Sequence, residues 1–159
     1  MRAKSRHHLR SDEVRAIEER LAERLGVDLA GETYERVDLE GTEFDLVLVD
    51  GDPEICYVDG DPFPTVRGAN RLDPERRIVT VDAGAVSFVS DGADVMRPGI
   101  VAADEALTEG DLVLVAEETH SKVLAVGRAL IDGSEMAWDS GRVVGSVHHV
   151  GDDLYEFGV

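Results

Sequence analysis

Ser87, Ser90, Ser121 and Ser146, with five histidines, are the side chains whose types suit nucleophilic or metal chemistry. A serine nucleophile needs a base within hydrogen-bond reach, and none of these serines stands in a G-x-S-x-G elbow or a comparable context. Four histidines form two adjacent pairs, His7–His8 and His148–His149. Neighbouring side chains of a strand point to opposite faces, so neither pair chelates one ion; one histidine of each pair is expected to be packed and the other solvated. The alternating Asp50 and Asp52 suggest a calcium loop, but Ile55 stands where that loop needs glycine and Asp61 where it needs a bidentate glutamate. Neither GxxxxGK[ST] nor GxGxxG occurs, so nucleotide hydrolysis and dinucleotide binding have no motif behind them. The expectation is a protein without catalytic residues, bound metal or cofactor.

A binding surface remains, and the stretch VDAGAVSFVSDGADVMRPGI (81–100) is its strongest candidate, with glycines and a proline around a lone arginine. The charge balance opposes a polyanionic partner: 34 Asp plus Glu face 16 Lys plus Arg, for a net charge of -18. Lys4 and Lys122 are the only lysines, and the acids are spread along the whole chain. That pattern suits a surface kept hydrated in concentrated salt, so a halophile cytosol is expected. At molar salt the Debye length is about 3 Å, and repulsion between this surface and a polyanion is screened beyond contact. Positive charge gathers in three places: Arg2, Lys4, Arg6 and Arg10; Arg67, Arg71, Arg76 and Arg77; and Arg97.

The elements that position these residues are legible in outline. Ser11 reads as an N-cap, Asp12 and Glu13 complement the helix dipole, and Val14, Ile17, Leu21 and Leu25 share one face. A helix is expected over 12–25. TYERVDL, EFDLVLVD and EICYVD read as strands, and VDGDP occurs at 49–53 and again at 58–62, Asp-Gly favouring tight turns. The lone cysteine, Cys56, excludes an internal disulfide and reads as a core residue. RGANRLDPERR (67–77) reads as a charged boundary, most simply a solvated linker. Beyond it IVTV, DLVLVAE, KVLAVGRALI, RVVGSVHHV and LYEF give five or six strands joined as antiparallel hairpins, with one short helix near 83–90. A small barrel or sandwich closes such a set. No apolar run approaches the roughly 18 residues that span a bilayer, and no signal peptide is visible, so a cytoplasmic location without membrane contact is expected.

From Asp82 through Gly92 and Ala93 to Pro98 and Gly99, and on to a strand opened by Gly110 and Asp111, the second half resembles a PUA domain, a small RNA-binding pseudo-barrel. The first half, with Lys4 to His7, a helix, a strand hairpin and PFPTVR at 62–67, is similar to the pre-PUA domain of archaeal relatives of the MCT-type (malignant T-cell amplified sequence) translation factors. The resemblance implies an α+β chain: an N-terminal α/β pre-PUA domain over 1–75, then a PUA β pseudo-barrel with a short helix over 76–159. It implies an accessory factor of translation rather than an enzyme, binding structured RNA (tRNA or small-subunit ribosomal RNA) in initiation or ribosome recycling. The small ribosomal subunit and a separate protein are the implied partners. The alternative is a stand-alone PUA protein that helps a separate enzyme modify tRNA or rRNA. Carried over from the family, the RNA-contacting residues are Gly84, Ala85, Gly92, Ala93, Met96 and Arg97; the gathering of positive charge adds Arg2, Lys4, Arg6, Arg67 and Arg71 as a secondary basic surface. Physics supplies a reason for each type: Gly92 ends the helix at positive φ, Ala93 leaves room for a backbone, neighbouring N–H groups donate to phosphate, and Arg97 adds a contact-range charge. Val86, Phe88, Val89 and Ile100 are expected in the core.

Overall fold

A computed structural model describes residues 1–42, 44–136 and 141–157. Two compact units emerge, Met1–Pro74 joined by Glu156 and Phe157, and Glu75–Tyr155.

The first unit is a five-stranded antiparallel meander in the order β1-β2-β3-β4-β5 with two helices. Its strands are β1 (Ala3–His8), β2 (Tyr34–Leu39), β3 (Asp45–Val49), β4 (Asp52–Val58) and β5 (Asp61–Pro64), and its helices α1 (Ser11–Leu25) and α2 (Val66–Leu72). Helix α1 buries Ile17, Leu21 and Leu25, the face set by their four-residue spacing. Ser11 is its first residue and not its cap: Arg10 stands outside the helix, its N–H donating to Glu13 Oε1 at 3.1 Å. Gly26, at φ 68°, ends the helix. Both VDGDP repeats build two-residue turns. Asp50 and Gly51 (φ 51° and 89°) join β3 to β4, and Asp59 and Gly60 (φ 50° and 81°) join β4 to β5. Two successive positive φ values make the type I′ geometry that matches strand twist. Asp50 Oδ1 accepts the N–H groups of Glu32 (2.9 Å) and Thr33 (2.8 Å), a local structural use.

Much of the charged boundary segment is a packed helix rather than a solvated linker. Thr65 caps α2: its Oγ1 accepts from the Gly68 N–H at 3.0 Å and donates to the Pro53 carbonyl at 2.8 Å. A Cβ on Gly68 would come within 1.9 Å of the Glu54 carbonyl oxygen, so the helix rests directly on the backbone of β4. Cys56 is buried in that sheet. Strand β1 is exposed at every residue, so His7 and His8 are both solvated and neither is packed.

The second unit holds β6 (Ile78–Val81), α3 (Val86–Ser90), β7 (Val95–Met96), β8 (Ile100–Ala103), β9 (Leu112–Glu117), β10 (Val123–Ala129) and β11 (Arg142–His149). Their order is β7-β11-β10-β9-β6-β8. The two ends of that order, β7 and β8, are joined by Arg97–Gly99 alone. Four Cα steps reach about 14 Å, whereas six strands laid flat span about 24 Å. The sheet therefore curls into the pseudo-barrel expected of this half. Val79, Val81, Val113, Val115, Met136, Val143 and Val144 fill its core.

Two expectations fail here. β6 pairs with β9 in parallel, because residues 82–111 cross over between them instead of turning back as a hairpin. LYEF is a turn ending in irregular chain, not a strand. The Asp152 carboxylate collects the N–H groups of His149 (2.9 Å) and Tyr155 (2.8 Å), which winds the chain locally and withdraws it from the sheet.

Candidate functional site

The 82–111 crossover carries a cleft of about 460 Å3. Asp82 starts one side: its Oδ1 accepts the Ala85 N–H at 3.0 Å and winds residues Ala83–Ala85 into a 3-10 turn ahead of α3. Gly99 lies against that turn, where a Cβ would meet the Ala85 Cβ at 2.9 Å. Helix α3 ends in a Schellman motif: at Gly92 (φ 92°) the Gly92 N–H donates to the Val89 carbonyl and the Ala93 N–H to the Phe88 carbonyl, each at 3.0 Å.

The cleft is apolar. Val89 and Val95 lie buried within it, while Phe88 (67 % exposed) and Met96 (49 %) stand out toward solvent beside Ala93 and Pro98. The placement of Phe88 reverses the sequence expectation of a core residue. Val86 and Val89, three apart, face inward, and Phe88 falls off that face. The helical period was the available signal.

Of the expected contact residues, Gly84, Ala85, Ala93 and Met96 line the cleft, and Gly92 and Arg97 do not. Arg97 is half-buried and its Nη1 donates to the Met136 carbonyl at 3.2 Å, so its charge is directed into its own unit. The N–H groups of Gly92 and Ala93, expected to donate to phosphate, are used inside the helix cap. Asp82 and Asp94 are the charged lining residues; Asp94 Oδ2 accepts from Arg142 Nη1 at 3.0 Å and Oδ1 from the Ser146 N–H at 2.8 Å. No lysine or arginine lines the cleft among the described residues.

The other side of the loop backs on histidines. His149 Nδ1 lies 2.9 Å from both the Ser90 and Val150 carbonyl oxygens. His148 is buried (1 % exposed), with Nδ1 at 2.9 and 3.0 Å from the Asp152 carboxylate oxygens. Burial pushes the Asp152 carboxyl up, but His148 and the N–H groups of His149 and Tyr155 outweigh it and hold the group below the usual aspartate range. The expectation of one packed and one solvated histidine holds for His148, which is packed, while His149 is half-buried, and it named neither contact.

The five residues of the expected secondary surface do not form one patch. Arg2, Lys4 and Arg6 lie at or beside the edge strand β1, where Arg6 Nη2 reaches Glu35 Oε2 at 2.6 Å. Arg67 and Arg71 lie on α2, which packs on β4 and β5 at the other end of the sheet. They border a cleft of about 330 Å3 with Pro53, Glu54 and Phe157. Arg71 pairs with Glu54, a residue 2 % exposed, whose carboxyl is pushed above the usual glutamate range by burial despite that partner. No group of three or more metal-ligating side chains occurs among the described residues, and no helix there is long and apolar enough to cross a membrane.

Comparison with known proteins places this geometry. Residues 77–151 match the PUA domain model. A conserved PUA domain protein from Thermoplasma acidophilum is 32% identical, with a TM-score of 0.82 over 95% of this chain and 97% of that one. The chain belongs to the PUA domain family. A hypothetical protein from Pyrococcus horikoshii, also 32% identical, superposes with a TM-score of 0.85 over 96% of this chain and 98% of that one. An uncharacterized protein of Methanocaldococcus jannaschii is 41% identical over 116 residues, 72% of each chain. Translation machinery-associated protein 20 of Saccharomyces cerevisiae is 28% identical over 121 residues, 72% of this chain and 67% of that protein. The malignant T-cell-amplified sequence 1 homolog of Drosophila melanogaster is 30% identical over 102 residues, 62% of this chain and 56% of that protein. The similarity to MCT-type factors noted in the sequence thus holds, and the cleft lies inside the PUA unit.

Proposed function

We propose that this chain is an RNA-binding accessory factor of translation that holds tRNA or small-subunit ribosomal RNA against the α3 cleft of its PUA unit. The observation that carries this reading is an exposed apolar cleft, lined by Phe88, Met96, Ala85 and Ala93, within the PUA unit of a chain with net charge -18. Apolar surface left open on a monomer marks a contact site. Relatives named for the translation machinery and for MCT-type factors support the translation assignment.

With no cation lining it among the described residues, the cleft contacts base and ribose faces, and phosphate neutralisation contributes little. Gly84, Ala85, Ala93 and Met96 touch the RNA; Gly92 shapes the loop, and Arg97 acts through the Met136 carbonyl. The first unit serves as a pre-PUA domain, where Arg2, Lys4 and Arg6 at one sheet end and Arg67 and Arg71 at the other are two separate secondary contacts, for RNA or for a protein partner on the small ribosomal subunit. Initiation or recycling in a salt-rich cytoplasm is the step served.

The direct test titrates purified protein in 2 M KCl against labelled tRNA and small-subunit RNA fragments. Saturable binding to either supports the proposal, and retention of neither refutes it. Crosslinking in cells then separates ribosomal RNA hits from the narrow tRNA set that a modification helper would give.

A further inference from the structure

We infer that His149 is a positioning residue for RNA binding, holding α3 and the glycine loop in their binding-competent form through the proton on its Nδ1. This rests on the proposal that the α3 cleft contacts RNA. His149 itself does not line the cleft.

Helix α3 has five residues, too few to persist without tertiary support. Its C-terminal carbonyls need partners. The Asp91 N–H donates to the carbonyls of Ser87 and Phe88, Gly92 to Val89, and Ala93 to Phe88. The last carbonyl, that of Ser90, takes the imidazole of His149 at 2.9 Å. The same ring nitrogen is 2.9 Å from the Val150 carbonyl. Carbonyl oxygens only accept, so Nδ1 carries the hydrogen and is shared between them, which fixes the tautomer of the neutral ring.

Gly92 makes the complementary half of the contact. A Cβ there would lie 2.7 Å from Nε2 and 2.9 Å from Cδ2 of His149, so a glycine at this position is what lets the ring lie against the loop. The ring is anchored in turn: His149 pairs with Ala125 of β10, its N–H donates to Asp152 Oδ2 at 2.9 Å, and the Val150 N–H donates to the Leu124 carbonyl at 2.8 Å. One imidazole therefore ties the end of α3, with Phe88 and Val89 on one side and Ala93 to Met96 on the other, to a barrel strand. The loop glycine that the sequence suggested as a seat for RNA is a seat for this histidine.

Three substitutions separate a donor at the Nδ1 position from bulk. His149→Asn keeps an amide N–H where Nδ1 stood, His149→Gln moves it one methylene away, and His149→Ala deletes it. Measured against the RNA retained by the parent, H149N is expected to bind within threefold of it, and H149A and H149Q at least tenfold more weakly. Amide exchange at Gly92 and Ala93 is expected to speed by tenfold or more in H149A and H149Q, with Val126 of β10 unchanged. Parental affinity in H149A, or an H149N as weak as H149Q, overturns the inference. Should H149A not fold, the Asn and Gln pair decides alone. Should the parent bind no RNA, the RNA-binding proposal fails separately, and parental exchange at Gly92 and Ala93 in H149Q overturns the positioning role.

Discussion

Replacing Phe88 with alanine sets the two expectations for this residue against each other. The side chain is 67 % exposed, so about one third of its surface is buried. Full burial of a phenylalanine is worth about 1.5–3 kcal/mol, so truncation here costs folding about 0.5–1 kcal/mol. In a chain of this length that lowers Tm by about 1–4 °C. Binding responds on a different scale. One base stacked on an aromatic ring is worth about 1–3 kcal/mol, and at 1.4 kcal/mol per decade its loss weakens affinity by about 5- to 150-fold. Anisotropy titrations of labelled RNA in 2 M KCl, paired with thermal melts in the same buffer, read both quantities. Phe88→Trp preserves a stacking face and is expected to bind within threefold of the parent. Parental affinity in F88A refutes the stacking argument. A Tm loss above about 10 °C would instead return Phe88 to the core.

Three further outcomes follow from the geometry. RNA affinity should change less than about fivefold between 0.2 and 2 M KCl, since each neutralised phosphate on a single strand contributes a slope of about −0.7 and the described cleft lining is free of cations; a slope steeper than about −0.7 on a log–log plot contradicts this. Asp152→Ala leaves the His148 ring and the N–H groups of His149 and Tyr155 without their shared acceptor, costing about 3 kcal/mol and about 6–12 °C in Tm at pH 7. Because the folded Asp152 carboxyl lies below its ordinary value of 3.8, that stabilisation is present above this pH and is lost as pH falls through the lower folded value, so parent and mutant melts should converge in acid. Gly68→Ala drives a methyl to 1.9 Å from the Glu54 carbonyl oxygen and should cost at least about 2 kcal/mol in denaturant melts of the first unit.

Patterns carried by nearest neighbours were the legible part of this fold. The four-residue spacing of Ile17, Leu21 and Leu25 gave α1 to within one residue, and two Asp-Gly pairs gave both hairpins. What escaped depends on residues distant in sequence. Nothing local to IVTV says that it pairs in parallel with a strand whose facing residue lies 36 positions further on, Ile78 against Leu114. Nor does DGADVMRPG say that Arg97 reaches for Met136 or that Gly92 meets His149. The site followed the same rule. Gly84, Ala85, Ala93 and Met96 were readable as one loop region, whereas the inward turn of Arg97 and the outward turn of Phe88 follow from which face of a short helix the barrel covers.

The parallel pairing of β6 with β9 also sorts the connections of this unit by length. Strands β9, β10 and β11 follow one another along the chain and pair through connections over 118–122 and 130–141, so they can zip from local encounters. β6 meets β9 only when the ends of 82–111 come together, which costs more loop-closure entropy than either of those connections, and it also pairs with the nearer β8, Val81 against Ile100. The segment enclosed by that closure is the one that bears α3, the glycine loop and the cleft. The candidate contact surface thus lies in a segment that takes no part in the pairing of β9, β10 and β11 with one another.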